Sequence, residues 1–108
     1  MNDFDKTIWN EMPTLVVFYA TWCGSCQALE PTIDRFCKKN NGRVMIRRID
    51  MDDAGMLDVV RRHHITQVPT LILFRRGEML WRRSGSVDYE KLERTFEGIE
   101  ELEVLEQR

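Results

Sequence analysis

The sequence has no apolar run long enough to cross a membrane as a helix. Its longest run, Leu15 to Ala20, has 6 residues, whereas a spanning helix needs about 20. The stretch from Met1 to Asp5 is polar and acidic, unlike a secretory signal peptide. We therefore expect a cytoplasmic protein without membrane association.

A large excess of charge of either sign is also missing. Lys and Arg number 16, Asp and Glu number 18, and the formal net charge is −2. This balance gives no indication of nucleic-acid binding, and we expect none. The 108 residues suit one domain over 1–108, and a hydrophobic content of 43% is enough for one core. We expect a monomer or a weak dimer.

Cysteine is scarce, and its number is odd. Only Cys23, Cys26 and Cys37 are present, which argues against a disulfide-stapled secreted scaffold. No second Cys-x-x-Cys occurs, and Cys37 with His63 and His64 does not form a familiar zinc spacing, so we expect no metal site. Cys37 falls on the inner side of a predicted helix and is interpreted as a small buried side chain.

Apolar periodicity predicts the element order α-β-α-β-α-β-β-α. The predicted helices cover 3–11, the stretch from the second cysteine to about 39, 54–64, and a C-terminal segment capped by Ser86. The predicted strands cover 14–20, 43–50, 70–74 and 79–83, with a hairpin turn at 75–78. Strands joined through helices imply a parallel part of the sheet, and the hairpin adds an antiparallel edge. The predicted fold class is α/β.

Two helical stripes are expected to face the core. On the third helix the stripe comprises Met56, Leu57, Val60 and His64, with one of the two histidines packed and the other solvated. On the last helix the stripe comprises Tyr89, Leu92, Phe96, Ile99 and Leu102.

The segment Trp22-Cys23-Gly24-Ser25-Cys26 lies where a buried strand turns into a helix. Unpaired N–H groups at a helix N-terminus stabilise a thiolate, here at Cys23, and lower its pKa. Cys26 lies one helical turn further on, starts the buried stripe and should be less exposed. This arrangement suits two-step thiol–disulfide exchange, in which Cys23 attacks and Cys26 resolves the mixed disulfide.

Residues 15–26 resemble the strand and active-site motif of the thioredoxin family. Pro31 is at the family's helix-kink position, and Val68-Pro69-Thr70-Leu71 is similar to its cis-proline segment. Gly77 and Gly85 match the hairpin glycine and the glycine of the substrate-facing loop. The resemblance covers about residues 4–98 and implies a thioredoxin fold.

The resemblance also implies the roles of the site residues. Cys23 and Cys26 are the catalytic pair, and no bound cofactor is expected beyond their redox-active disulfide. The implied substrate-binding residues are Trp22, Gly24, Ser25, Val68, Pro69 and Gly85. The implied partners are client proteins that contain disulfides and a flavin-dependent thioredoxin reductase.

The sequence departs from the family pattern at several places. Ser25 stands where the most familiar motif has proline, and we expect it to stabilise the dithiol and weaken the protein as a reductant. Val17 replaces a buried carboxylate, and Arg48 aligns with that carboxylate's lysine partner, so we expect slower resolution by Cys26. The first strand of the family is missing from the sequence, which leaves four strands and an open sheet edge.

Three functions remain open at the level of the sequence. The first is a general protein-disulfide reductase, and the second is a more oxidising exchanger with few clients. The third is a binding module on the same fold, with a vestigial or regulatory dithiol. The complete cysteine pair, Trp22 and Pro69 favour the enzymatic functions.

Overall fold

The computed structural model describes the backbone of residues 3–106 and the side chains through residue 103. The helices are α1 Asp3–Ile8, α2 Gly24–Lys39, α3 Leu57–Arg62 and α4 Tyr89–Glu106, and a 3₁₀ turn Ala54–Met56 precedes α3. The strands are β1 Thr14–Tyr19, β2 Met45–Asp50, β3 Thr70–Arg75 and β4 Glu78–Ser84. The order of elements is the one that the sequence predicted.

One mixed sheet has the strand order β2-β1-β3-β4. The pair β1–β2 is parallel, while β1–β3 and β3–β4 are antiparallel. The prediction of four strands agrees with this sheet, in which β2 forms one edge. In the parallel register Val17 lies opposite Arg48 and Tyr19 lies opposite Asp50.

The two faces of the sheet build two hydrophobic clusters, because successive strand residues point to opposite sides. Leu15 and Val17 face α2 and α4, where they meet Ile33 and Phe96. The other face, which carries Val16, Phe18, Ile72 and Phe74, packs against α1 and α3. Residues 15 to 18 of β1 are therefore all buried, which explains the unbroken apolar run in the sequence.

The first helix ends at Ile8, three residues before the predicted end. The side-chain amide of Asn10 donates to the Thr7 carbonyl at 2.5 Å, and Thr14 Oγ1 donates to the same oxygen at 3.4 Å. A helix continuing to Glu11 would need that carbonyl for its own backbone ladder. The side-chain contacts therefore take the place of the helical bond.

The predicted inner side of the third helix is partly wrong. Val59 and Val60 are buried there, whereas Leu57 and His64 are exposed. The segment begins with a 3₁₀ turn, which has about 3.0 residues per turn instead of 3.6, and this shifts the side-chain phase. As a result His63, and not His64, packs inward against Phe4 and Phe74.

The last helix is capped by Asp88, not by Ser86. Asp88 Oδ1 accepts a hydrogen bond from the backbone N–H of Lys91 at 2.7 Å. Val87, the residue before the cap, packs in the same buried cluster as Leu92. This is the hydrophobic contact that commonly accompanies an N-cap, and it requires the helix to begin at Tyr89.

The buried stripe of α4 is shorter than predicted. Leu92 and Phe96 are buried, and Tyr89 and Ile99 pack against the core in part. Leu102 remains 61% exposed. The core cluster on this side of the sheet ends at Ile99, and in the next turn it is Glu103, paired with Arg75 at 3.4 Å, that faces the sheet.

Candidate active site

Cys23 lies between the carboxyl end of β1 and the first turn of α2. Its backbone is extended (φ −91°, ψ 107°), and its side chain caps the helix. The backbone N–H of Cys26 donates to Cys23 Sγ at 3.1 Å. The sulfur thus occupies the place that a serine or aspartate oxygen takes at an ordinary N-cap, where negative charge is stabilised.

Three further contacts define the environment of the Cys23 sulfur. Ser25 Oγ lies 3.3 Å from it, and the Val68 carbonyl lies 3.7 Å away and accepts from the thiol form. A hydrogen bond from the Cys26 thiol, then one from Ser25, lowers the pKa of Cys23. Cys23 is therefore the more acidic thiol of the pair and the better nucleophile near neutral pH.

The pKa of Cys26 shifts in the opposite direction. Burial is the main cause, and the hydrogen bond to Cys23 adds to it, which together raise the pKa of Cys26 to about 11. Cys23 thus ionises more readily and can attack, while Cys26 keeps its proton until the second step. Two-step exchange requires this difference between the two thiols.

The expectation that Cys26 is less exposed than Cys23 is wrong, because both residues are only 5% exposed. They form one small buried cluster with Ala20, with Val68 packed against it. The two residues are thus equally exposed as a whole, while burial of the thiol dominates the pKa of Cys26 and hydrogen bonds dominate that of Cys23.

The Val68–Pro69 peptide bond is cis, as the sequence resemblance implied. The Pro69 carbonyl accepts from the backbone N–H of Gly85 at 2.8 Å. Gly85 has φ +94°, in the region that favours glycine. Val68 therefore contacts Cys23 directly, and Gly85 is joined to the adjacent Pro69.

Trp22 is 69% exposed beside the cysteine pair. Its Nε1 donates to Asp52 Oδ2 at 2.7 Å, so that a carboxylate beyond β2 orients the indole ring. The sequence prediction missed Asp52, since nothing in the residue spacing connects it with Trp22. Gly24, beside them, is exposed, and a Cβ built on it would meet nothing within 4 Å.

Besides Asp52 near Trp22, a second carboxylate of the site belongs to Glu30 near Cys26. Glu30 lies one helical turn beyond Cys26 and accepts from Arg48 Nε at 3.0 and 3.1 Å. Arg48 also donates to Asp34 at 3.1 Å. The sequence alone could have placed Glu30 near Cys26, because residues four apart on a helix are neighbours. The ion pair of Glu30 with Arg48 could not be predicted in this way, because it depends on the register of β2 beside β1.

The described residues form neither a metal-ion cluster nor a membrane-spanning helix. Among residues 3–103, no group of three or more His, Cys, Asp or Glu side chains is arranged to hold a metal ion. No helix within the described part of the chain combines the length and apolar character of a membrane span.

A dithiol that caps a helix beside a four-stranded mixed sheet defines a class, the thiol–disulfide oxidoreductases of the thioredoxin fold. The family model "Thioredoxin" matches residues 1–98. The germline-specific thioredoxin Deadhead of Drosophila melanogaster superposes with a TM-score of 0.77 and 28% identity, over 91% of this chain and 92% of that one. The predicted fold is therefore confirmed.

Relatives of known sequence agree with the family model. A probable thioredoxin-2 of Caenorhabditis elegans is 35% identical over 92% of this chain and 68% of its own length. Thioredoxin-1 of Saccharomyces cerevisiae is 34% identical over 79% of this chain and 80% of its own length. The chain belongs to the thioredoxin family and is a protein-disulfide oxidoreductase.

Proposed function

We propose that Cys23 is the attacking thiol and Cys26 the resolving thiol. The observation that carries this assignment is the bond from the Cys26 backbone N–H to Cys23 Sγ at 3.1 Å. The Cys23 thiolate attacks a client disulfide, and one client thiol leaves. Cys26 then attacks Cys23 Sγ, the second client thiol leaves, and two electrons have passed from the protein to the client.

The substrate groove in this proposal runs along Trp22, Gly24, Ser25, Val68, Pro69 and Gly85. The hydrogen bond from Gly85 to Pro69 and the contact of Cys23 with Val68 support this grouping. An extended client segment would pair with the backbone of Val68 as an added strand does.

The proposed partners are proteins with accessible disulfides and a thioredoxin reductase that restores the dithiol. We also propose that no bound cofactor takes part, since the two sulfurs themselves hold the electrons. A purified chain that reduces a protein disulfide with only a reductase and its electron donor present would support both statements.

A trapping experiment tests the assignment of the two thiols. Cys26→Ser should capture clients as mixed disulfides on Cys23, because attack remains possible while resolution does not. Cys37→Ser in the same background should trap equally well, and adding Cys23→Ser should abolish capture. If Cys26→Ser trapped no client while the wild type also reduced none, the chain would act as a binding module.

A more oxidising exchanger is the second candidate, and the contact between Ser25 and Cys23 favours it. The reduction potential, measured against glutathione, separates the two candidates. A value near about −270 mV is that of a general reductase, whereas a value near about −200 mV indicates a specialised exchanger.

We propose that the protein works in the cytoplasm, a reducing compartment that suits an odd number of cysteines. We further propose a monomer or weak dimer. Localisation of the tagged full-length chain tests the first statement, and light scattering over a range of concentrations tests the second.

A further inference from the structure

Resolution of the mixed disulfide requires Cys26 to lose its proton. Burial is the largest cause that raises the pKa of Cys26, and it persists when Cys23 is bonded to a client, so the thiol does not ionise readily near neutral pH. Val17, in the sheet beneath α2, is buried and apolar and accepts no proton. A side chain that accepts this proton has to come from elsewhere around the thiol.

A cavity of about 250 Å³ opens beside Cys26. Since a water molecule occupies about 30 Å³ in the liquid, this cavity has room for several. The residues that line it are Tyr19, Ala20, Thr21, Cys26, Gln27 and Glu30. Among these side chains, Glu30 supplies the one carboxylate.

Three features direct Glu30 toward this cavity. It follows Cys26 by four residues on α2, so the two side chains are on one face of the helix. Arg48 holds the carboxylate, with Nε 3.0 and 3.1 Å from the two carboxylate oxygens. Arg48 is itself placed by its register opposite Val17 in the sheet.

We propose that Glu30 accepts the Cys26 proton through water in this cavity during resolution, with Arg48 as the residue that positions it. The proposal rests on the assignment of Cys26 as the resolving thiol. As the proton moves to Glu30, the Cys26 sulfur bonds to Cys23 Sγ, and the bond between Cys23 and the client breaks. The client sulfur leaves with the electron pair of that bond, and the proton on Glu30 returns to solvent.

Glu30 also acts on Cys26 through its charge, and this effect on the rate of resolution is opposite in direction to that of a proton acceptor. The proposal can therefore be tested. The negative charge of Glu30 adds to the causes that raise the pKa of Cys26. If charge were its only influence, removing Glu30 would increase the Cys26 thiolate and speed up resolution. If Glu30 accepts the proton, removing it slows resolution.

Asp34 is the matched control. It also accepts from Arg48, at 3.1 Å, but it does not line the cavity beside Cys26. A change at Asp34 therefore disturbs the same guanidinium and a similar surface charge without removing the proposed acceptor.

In a Cys37→Ser background, the experiment mixes the dithiol with one equivalent of 5,5′-dithiobis(2-nitrobenzoate) in a stopped-flow instrument. Attack by Cys23 releases a first coloured thiol, and resolution by Cys26 releases the second, whose rate is measured. Glu30→Gln should slow this release at pH 7 by on the order of tenfold to a hundredfold. A base in direct contact contributes about 10²–10⁴-fold to a rate, and we expect a base that acts through water to contribute no more than the lower limit of that range. The difference should shrink as the pH rises, because Cys26 then ionises without a proton acceptor. Asp34→Asn should release at the wild-type rate.

Chemical rescue provides a second measurement on a separate variant. Glu30→Ala replaces a partly exposed residue with a strong helix former, and added formate should restore its rate in proportion to concentration. A faster or unchanged rate in Glu30→Gln, equal slowing in Asp34→Asn, or no response to formate would overturn the proposal. If the chain with Glu30 intact released the first coloured thiol but not the second, the assignment of Cys26 would fail instead.

Discussion

The hydroxyl of Ser25 lies 3.3 Å from the sulfur of Cys23. Ser25 occupies the position between the cysteines where the most familiar motif of the family has proline, which has neither a side-chain donor nor a backbone N–H. A hydroxyl that donates to the thiolate stabilises the reduced form of the pair. The contact therefore links one residue of the motif to the direction in which electrons flow.

Removing this hydroxyl should lower the reduction potential. In Ser25→Ala and Ser25→Pro the Cys23 thiolate loses a donor, and the dithiol becomes less stable relative to the disulfide. We expect a decrease on the order of 20–30 mV, about 1 to 1.4 kcal/mol for two electrons. Equilibration with glutathione measures it, and a potential that stays the same or rises in Ser25→Pro would contradict the role of Ser25.

Alkylation should separate the two thiols by pH. The pKa of Cys23 is lowered, mainly by the Cys26 thiol, and that of Cys26 is raised to about 11 by burial. In a Cys37→Ser background, iodoacetamide near neutral pH should modify Cys23 first, because only the thiolate reacts. Cys26 should become reactive only at a clearly higher pH, which peptide mass spectrometry would show. Equal modification of both at pH 7 would be inconsistent with these shifts.

His63 should make the protein less stable in mild acid. Burial between Phe4 and Phe74, with the charges of Arg62 and Arg82, lowers its pKa. Below about pH 6.5 the unfolded chain binds a proton that the folded chain does not, so the free energy of unfolding falls as the pH falls toward the folded pKa.

Urea unfolding at pH 7 and pH 5 measures the effect of His63. His63→Leu, which cannot titrate, should lose less stability across this range than the wild type. His64→Asn is the control, because His64 is exposed and has φ +53°, a conformation that asparagine tolerates. A His63→Leu variant with the wild-type dependence on pH would show that other groups cause the loss.

Gly77 should be more sensitive to substitution than Gly42, although both have positive φ. A Cβ on Gly77 would lie 2.7 Å from the nearest ring atom of Trp9, whereas one on Gly42 would meet nothing within 4 Å. Gly42→Ala should cost about 1 kcal/mol from backbone strain alone, and Gly77→Ala about 2 kcal/mol. Equal losses in urea unfolding would mean that Trp9 moves aside without cost.

Much of the fold and of the redox motif could be predicted from local patterns. The apolar run of β1, the helical spacing after Cys26 and the Arg76-Gly77 turn each depend on residues close in sequence. The roles of Val68, Pro69 and Gly85 needed the family resemblance, because nothing in the spacing of these residues shows that the chain brings them to the cysteines.

Helix boundaries and helix faces were predicted less well. Ser86 and Asp88 are both good N-cap residues, and the burial of Val87 with Leu92 selects Asp88. His63 and His64 are adjacent and identical, and the phase set by the 3₁₀ turn decides which of them packs inward. In each case local preference permits two answers, and packing against the sheet selects one.

The sequence by itself determined the chemistry of the cysteine pair. A Cys-x-x-Cys between a buried strand and a helix predicts one acidic thiol that attacks and a second thiol that resolves the mixed disulfide. Only the tertiary structure decided which charges surround that pair. Arg48 reaches Glu30 because β2 lies beside β1 with Val17 opposite Arg48, and Trp22 meets Asp52 across 30 residues of chain. Electrostatic and hydrogen-bonding forces act over a few ångströms in space, and the distance between residues far apart in sequence is set by how helices and strands pack.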